Sequence, residues 1–202
     1  MTIHTIGDSH CQFGWPKKKE IITHRIGPTL CYSFGQDPIG RCPIKSMGIQ
    51  DGDIVIFCLG EIDCRCHIHK YVESGMYYVH IIEQLVEAYF KAISFIVDYS
   101  GISLKHVGVY NVVPPVVKGT VPENPDYPYL GSNEDRLLYT KFFNYKCQVK
   151  CAEYGYFFFN VYEKYSDING FLNKELSDGN VHIQNGKYIE EFITKNIGVS
   201  LS

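Results

Sequence analysis

The run Ile54-Val55-Ile56-Phe57-Cys58-Leu59 is apolar without interruption and is led in by the turn-forming Asp51-Gly52-Asp53. A strand with one wet face alternates, so six consecutive apolar residues call for a strand covered on both sides, as in a parallel sheet. Residues 2–6, 21–26, 107–113 and 156–161 also have strand character, bounded by Gly27-Pro28 and Pro114-Pro115 among others. Between them, Val79, Ile82, Val86, Tyr89, Phe90, Ile93 and Val97 recur at threes and fours, which predicts a helix over 72–99 stopped by Gly101. Ser132-Asn133 offers an N-cap followed by Glu134 and Asp135, and Leu138, Phe142, Tyr145, Val149 and Ala152 carry a helical stripe to Gly155. A terminal helix is expected over 187–196. Strands alternating with helices predict an α/β fold of three layers, α/β/α, around a five-stranded sheet.

With 202 residues the chain is long enough for one real core and short for two, so 1–202 is read as a single domain. Its 45% hydrophobic and 20% charged residues are those of a globular protein. A net charge of −3, with only Lys17-Lys18-Lys19 clustered, gives no basic footprint for nucleic acid or an anionic membrane. No stretch approaches the roughly 18 to 20 apolar residues that span a bilayer. A cleavable leader would occupy the segment around Ser9, so a cytoplasmic location is expected. The eight cysteines are expected as reduced thiols, because disulfide frameworks belong to small secreted domains without a core.

In such a sheet, functional groups collect where strands end and loops begin. Gly7-Asp8-Ser9-His10 directly follows the first strand, and Asp178 and His182 lie near the other end of the chain. A serine exposed in a tight turn becomes a nucleophile when a distant base reaches it. His182 is the candidate base, since an imidazole titrates near neutrality, and Asp178 is the candidate for fixing its tautomer. The bland readings are an ordinary Gly-Asp-Ser turn, a surface loop histidine and an Asp-Gly turn pair.

Gly7-Asp8-Ser9 at a strand end, with an Asp/His pair close to the C-terminus, resembles the SGNH (GDSL) hydrolase superfamily. Ser33-Phe34-Gly35 and Leu59-Gly60-Glu61-Ile62-Asp63 fit the order of its remaining motifs. The resemblance implies a mostly parallel, flavodoxin-like sheet and a serine esterase or deacylase working through a covalent acyl-enzyme. It implies Ser9 as nucleophile, His182 and Asp178 as its partners, and the amides of Ser9 and Gly35 as oxyanion donors, with Gly40 as the rival to Gly35. Two departures stand out. Ile62 occupies the place of the family's oxyanion asparagine, and Asp178 and His182 are spaced by four residues rather than three. Arg65 is the candidate replacement donor, against a plain salt bridge to Glu61 or Asp63.

Cys64-Arg65-Cys66-His67-Ile68-His69 suggests zinc, but its cysteines are closer in sequence than the usual spacing and lack a second pair, so no metal and no cofactor are expected. Cys147 and Cys151 are read as packing residues, and Cys11 as lining the site. Tyr127 and Tyr129, among prolines after the fourth strand, are candidate substrate-binding residues that could stack on a sugar ring or an acyl chain, against packing of their own loop. The substrate expected is a small-molecule or glycan ester with a small acyl group, such as an O-acetylated carbohydrate. The alternatives are a sugar O-acyltransferase with the same serine and histidine, and an inactive binding module on this fold.

Overall fold

The computed structural model describes all 202 residues. Five strands, β1 (Ile3–Gly7), β2 (Ile21–Arg25), β3 (Ile54–Cys58), β4 (His106–Tyr110) and β5 (Phe157–Phe159), form one sheet in the order β2-β1-β3-β4-β5. Every neighbouring pair is parallel, so the sheet expected to be mostly parallel is wholly so. The helices are α1 (Cys31–Gln36), α2 (Pro38–Arg41), α3 (Ile68–Glu73), α4 (Tyr78–Ser100), α5 (Asn133–Tyr154), α6 (Tyr162–Tyr165) and α7 (Lys187–Phe192).

The period of two along β3 divides the core. Val55 and Phe57 face a layer built from α1, α4 and α5, where Phe34, Val86, Tyr89, Phe90 and Phe143 pack. Ile54, Ile56 and Cys58 face the opposite layer, with Trp15, Tyr165, Ile183, Ile189 and Ile193. The unbroken apolar run is thereby explained, since each alternate residue enters a separate core. No helix is long and apolar enough to cross a membrane.

Three boundaries differ from the sequence reading. The helix expected over 72–99 is interrupted between α3 and α4 at Ser74-Gly75-Met76-Tyr77, where glycine breaks the helical run. The segment around Gly35 is helix α1 rather than a loop after β2. β4 ends at Tyr110 although apolar residues continue to Val113. There, side chains replace the ladder: Asn144 accepts the Val112 amide at 2.8 Å and donates to the Val112 carbonyl at 2.8 Å, while Asn111 accepts the Val161 amide at 2.8 Å.

The order 2-1-3-4-5 places a switch point between β1 and β3, where connections depart in opposite directions and leave a crevice beyond the strand ends. The two strands close up tightly at that end. A Cβ on Gly7 would lie 2.0 Å from the Cys58 carbonyl oxygen, so only glycine fits before the turn that carries Ser9.

Candidate active site

Ser9 begins a single helical turn, Ser9–Cys11, whose preceding residue Asp8 caps it by accepting the His10 amide at 2.8 Å. The turn is fastened from below: Thr5 donates its hydroxyl to the Cys11 carbonyl at 2.7 Å, and the Trp15 indole donates to the His10 carbonyl at 2.9 Å. Such local bonds hold a short turn that backbone ladders cannot.

His182 arrives from the far end of the chain on a tight loop. An antiparallel bridge joins Ser177 to Ile183, and the Asp178 amide donates to the His182 carbonyl at 3.0 Å. The four-residue spacing of Asp178 and His182 therefore closes a hairpin-like turn. Within it the His182 Nδ1 lies 2.9 Å from Asp178 Oδ2, and the His182 Nε2 lies 2.8 Å from Ser9 Oγ. A carboxylate only accepts, so Nδ1 carries the proton and Nε2 offers its lone pair to the serine hydroxyl. Phe13 stacks on the His182 ring at 4.4 Å between centroids, and His10 approaches it at 4.8 Å. Burial, followed by the neighbouring His10 charge, lowers the pKa of His182, while Asp178 pulls in the opposite direction. The outcome favours a neutral imidazole at neutral pH, the form able to take a proton.

Ser9 and His182 open onto a cavity of about 340 Å³, also lined by Ile62, Arg65, Tyr127 and Tyr129. That volume suits a small ligand. Arg65 grips Glu61 with two parallel bonds, Nε to Oε1 at 2.7 Å and Nη2 to Oε2 at 3.0 Å, and also donates to the Tyr127 carbonyl. It clamps the proline-rich loop to the segment after β3, which is the salt-bridge alternative with Glu61 as partner rather than Asp63. Asp63 instead accepts the Cys31 amide at 2.8 Å, anchoring the start of α1, and burial pushes its carboxyl up to about 6.

Gly35 does not reach this cavity. It sits inside α1 against α4, where an added Cβ would meet that of Ala88 at 3.0 Å, so its expected oxyanion role is corrected. Its rival Gly40 donates its amide to Asp37 Oδ1 at 3.0 Å. β1 and β2 pair as far as Gly7 with Arg25, and the chain turns just beyond β2 at Gly27 (φ +82°), whose amide donates to no acceptor within the protein.

Tyr127 and Tyr129 both line the cavity, but differently. Tyr129 is 2% exposed, with the Arg65 and Arg136 guanidinium groups 5.3 and 5.4 Å from its ring centre, so its faces are already occupied. Tyr127 is half-buried and borders the opening. Phe13, 42% exposed, four residues after Ser9 and lining the cavity, was missed, although a large exposed aromatic beside the Gly-Asp-Ser turn is itself a signal. Cys64 and Cys66 are buried, and burial pushes the Cys66 thiol up to about 12, so neither is poised as a thiolate ligand. No three His, Cys, Asp or Glu side chains converge as a metal site.

No protein-family model matches the chain, and no curated protein is detectably similar to it. Solved structures do match in fold. A GDSL-like lipase from Bacteroides thetaiotaomicron superposes with a TM-score of 0.61 at 14% identity, covering 98% of this chain and 87% of its own. A lipase/acylhydrolase from Enterococcus faecalis gives 0.52 at 12% identity over 100% and 98% of the two chains. The acetyl xylan esterase AlAXEase gives 0.53 at 12% identity over 94% and 96%. The parallel sheet, its strand order and these superpositions together give this chain the fold of the SGNH (GDSL) hydrolase superfamily.

Proposed function

We propose that the protein is a serine ester hydrolase that works through a covalent acyl-enzyme on a small acyl ester. The observation that carries this reading is the continuous relay from Asp178 through His182 to the Ser9 hydroxyl, with bonds of 2.9 and 2.8 Å. The His182 Nε2 takes the Ser9 proton as Oγ attacks the ester carbonyl, and Asp178 steadies the imidazolium that forms. The oxyanion is held by the amides of Ser9 and Gly27. His182 then protonates the leaving alcohol, and water attacks the acyl-enzyme with the same base. A relay assembled in this way, open to a cavity of about 340 Å³, argues against an idle binding module.

For the substrate, the cavity volume favours a short acyl group, and an O-acetylated carbohydrate is the reading we adopt. It is supported by the shared fold with an acetyl xylan esterase and by the part-exposed Tyr127 at the opening, which can lie against a sugar ring. A serine-directed fluorophosphonate should label Ser9, and Ser9→Ala should abolish both labelling and hydrolysis of 4-nitrophenyl acetate while the fold persists. Hydrolysis that survives in Ser9→Ala would overturn the assignment. Release of acetate from acetylated xylo-oligosaccharides tests the carbohydrate reading separately.

A further inference from the structure

The site contains a second carboxylate–imidazole pair that the reaction above does not use. His10 is 6% exposed and Asp8 1%, and the His10 Nδ1 lies 3.0 Å from Asp8 Oδ1. Its other nitrogen, Nε2, lies 3.4 Å from the Val181 carbonyl oxygen. A neutral imidazole presents one donor and one lone pair, but here both nitrogens face groups that can only accept. Only the imidazolium satisfies both, and it neutralises a buried carboxylate that would otherwise stand alone. His182 is arranged the other way, with one nitrogen on a carboxylate and the other on a hydroxyl able to donate. The two rings lie 4.8 Å apart between centroids.

We propose that His10 is a fixed imidazolium, paired with Asp8, and that its charge holds the adjacent His182 as the free base while its Nε2–H bond steadies the loop that carries His182. His10 is thus a positioning residue, and it cannot be the base itself because its free N–H points at Val181 rather than at Ser9. The other charged groups around the two rings are Asp178 on the His182 loop, Glu61 tied to Arg65 after β3, and Arg25 at the end of β2, whose guanidinium lies 6.0 Å over Phe13. Glu61 is held in a bidentate pair by Arg65, while the His10 ring stands 4.8 Å from that of His182. The titration tendencies agree with the geometry. Burial opposes charge on His10, but Asp8, with help from Glu61, raises its pKa above the ordinary value, whereas His182 is lowered by burial and then by His10.

The arrangement extends the working range of the base toward acid. Ring-signal NMR on the wild-type protein should show His10 titrating above the ordinary imidazole range and His182 titrating below it. In His10→Gln, which keeps a side-chain donor for the Val181 carbonyl, the His182 midpoint should rise by about one pH unit, equivalent to about 1.4 kcal/mol. The acid limb of the kcat/KM profile should move with it. A purely structural role for His10 would lower the plateau and leave the limb in place. A neutral His10 ring at pH 7, or a His182 midpoint that does not rise in His10→Gln, overturns the proposal. Both readings come from ring signals, so absence of ester turnover would count against the hydrolase assignment and not against this one.

Discussion

The Ile183 side chain fills the space that a Cβ on Gly14 would need, with Cγ1 only 2.0 Å from that position. Gly14 follows the turn that holds Ser9, and Ile183 directly follows His182, so this contact packs the two segments of the proposed relay against each other. Gly14 also has φ +80°, a conformation that side chains disfavour. Gly14→Ala should therefore cost about 1–3 kcal/mol of stability. It should also lower kcat at least tenfold by moving His182 from Ser9, since a displacement of about 1 Å can cost on the order of 10² in rate. Thermal unfolding and steady-state kinetics measure the two effects. A variant with wild-type kcat would show that the relay is positioned independently of this contact.

Asp178 Oδ2 holds the Nδ1 proton of His182, and Asp178 Oδ1 also accepts the His182 amide at 3.3 Å. Asp178→Asn keeps the shape of the side chain but turns an acceptor into a possible donor, which favours the wrong tautomer. A fall in kcat of about 10³ to 10⁴ is expected, with KM changing far less. Equal losses in kcat for Asp178→Asn and Ser9→Ala would not distinguish the roles, but burst kinetics would, since only the asparagine variant can still form an acyl-enzyme. A kcat within threefold of wild type would remove Asp178 from the mechanism.

The sequence made the parallel sheet legible because β3 is covered on both faces and cannot hide its composition behind alternation. That Ser9, Asp178 and His182 would come together was legible because each sits where a strand or a late turn ends. Gly35 was misplaced for a physical reason. Between β2 and β3 the chain forms two short helices and several turns, and nothing in local propensity says which glycine stays beside the turn that holds Ser9. That depends on the pairing of β1 with β2 in the register Gly7 to Arg25, a long-range property that no local pattern encodes. The Asp8–His10 pair was invisible for a similar reason, since the second acceptor of His10 is the Val181 carbonyl, 171 residues away.

Outside the site, His24, His4 and Asp53 form a chain across β2, β1 and the start of β3. The His4 Nδ1 is 2.8 Å from the His24 Nε2, and the His4 Nε2 is 3.2 Å from Asp53 Oδ2. Burial lowers the pKa of both histidines from 6.5, with Asp53 partly opposing it at His4 and the charge of His4 adding to it at His24. The unfolded chain then binds protons before the folded one does on acidification. These two residues contribute stability that is present above about pH 6.5 and is lost as pH falls through that value toward the lower folded values. His24→Gln should flatten the decline of Tm between pH 7 and 5 relative to wild type. An unchanged slope would assign the acid sensitivity to other groups.

Ile62 lines the cavity at the place where the resembled family carries an asparagine, and it is 6% exposed. An oxyanion donor is worth about 2.7–4 kcal/mol where it has been removed, so Ile62→Asn has transition-state stabilisation to gain and should raise kcat for small esters tenfold or more. It should also lower Tm slightly, because a buried amide replaces an apolar side chain without assured partners. Arg65 discriminates between two explanations for the natural isoleucine. If its guanidinium acted as the missing donor, Arg65→Ala would depress kcat and leave KM nearly unchanged. Its three bonds to Glu61 and to the Tyr127 carbonyl instead make it a clamp on the loop that walls the cavity. The expected result for Arg65→Ala is therefore a raised KM and a lower Tm, from a loosened loop and an unpaired Glu61, with a smaller loss in kcat. A large fall in kcat at constant KM would reverse this assignment and return Arg65 to the oxyanion site.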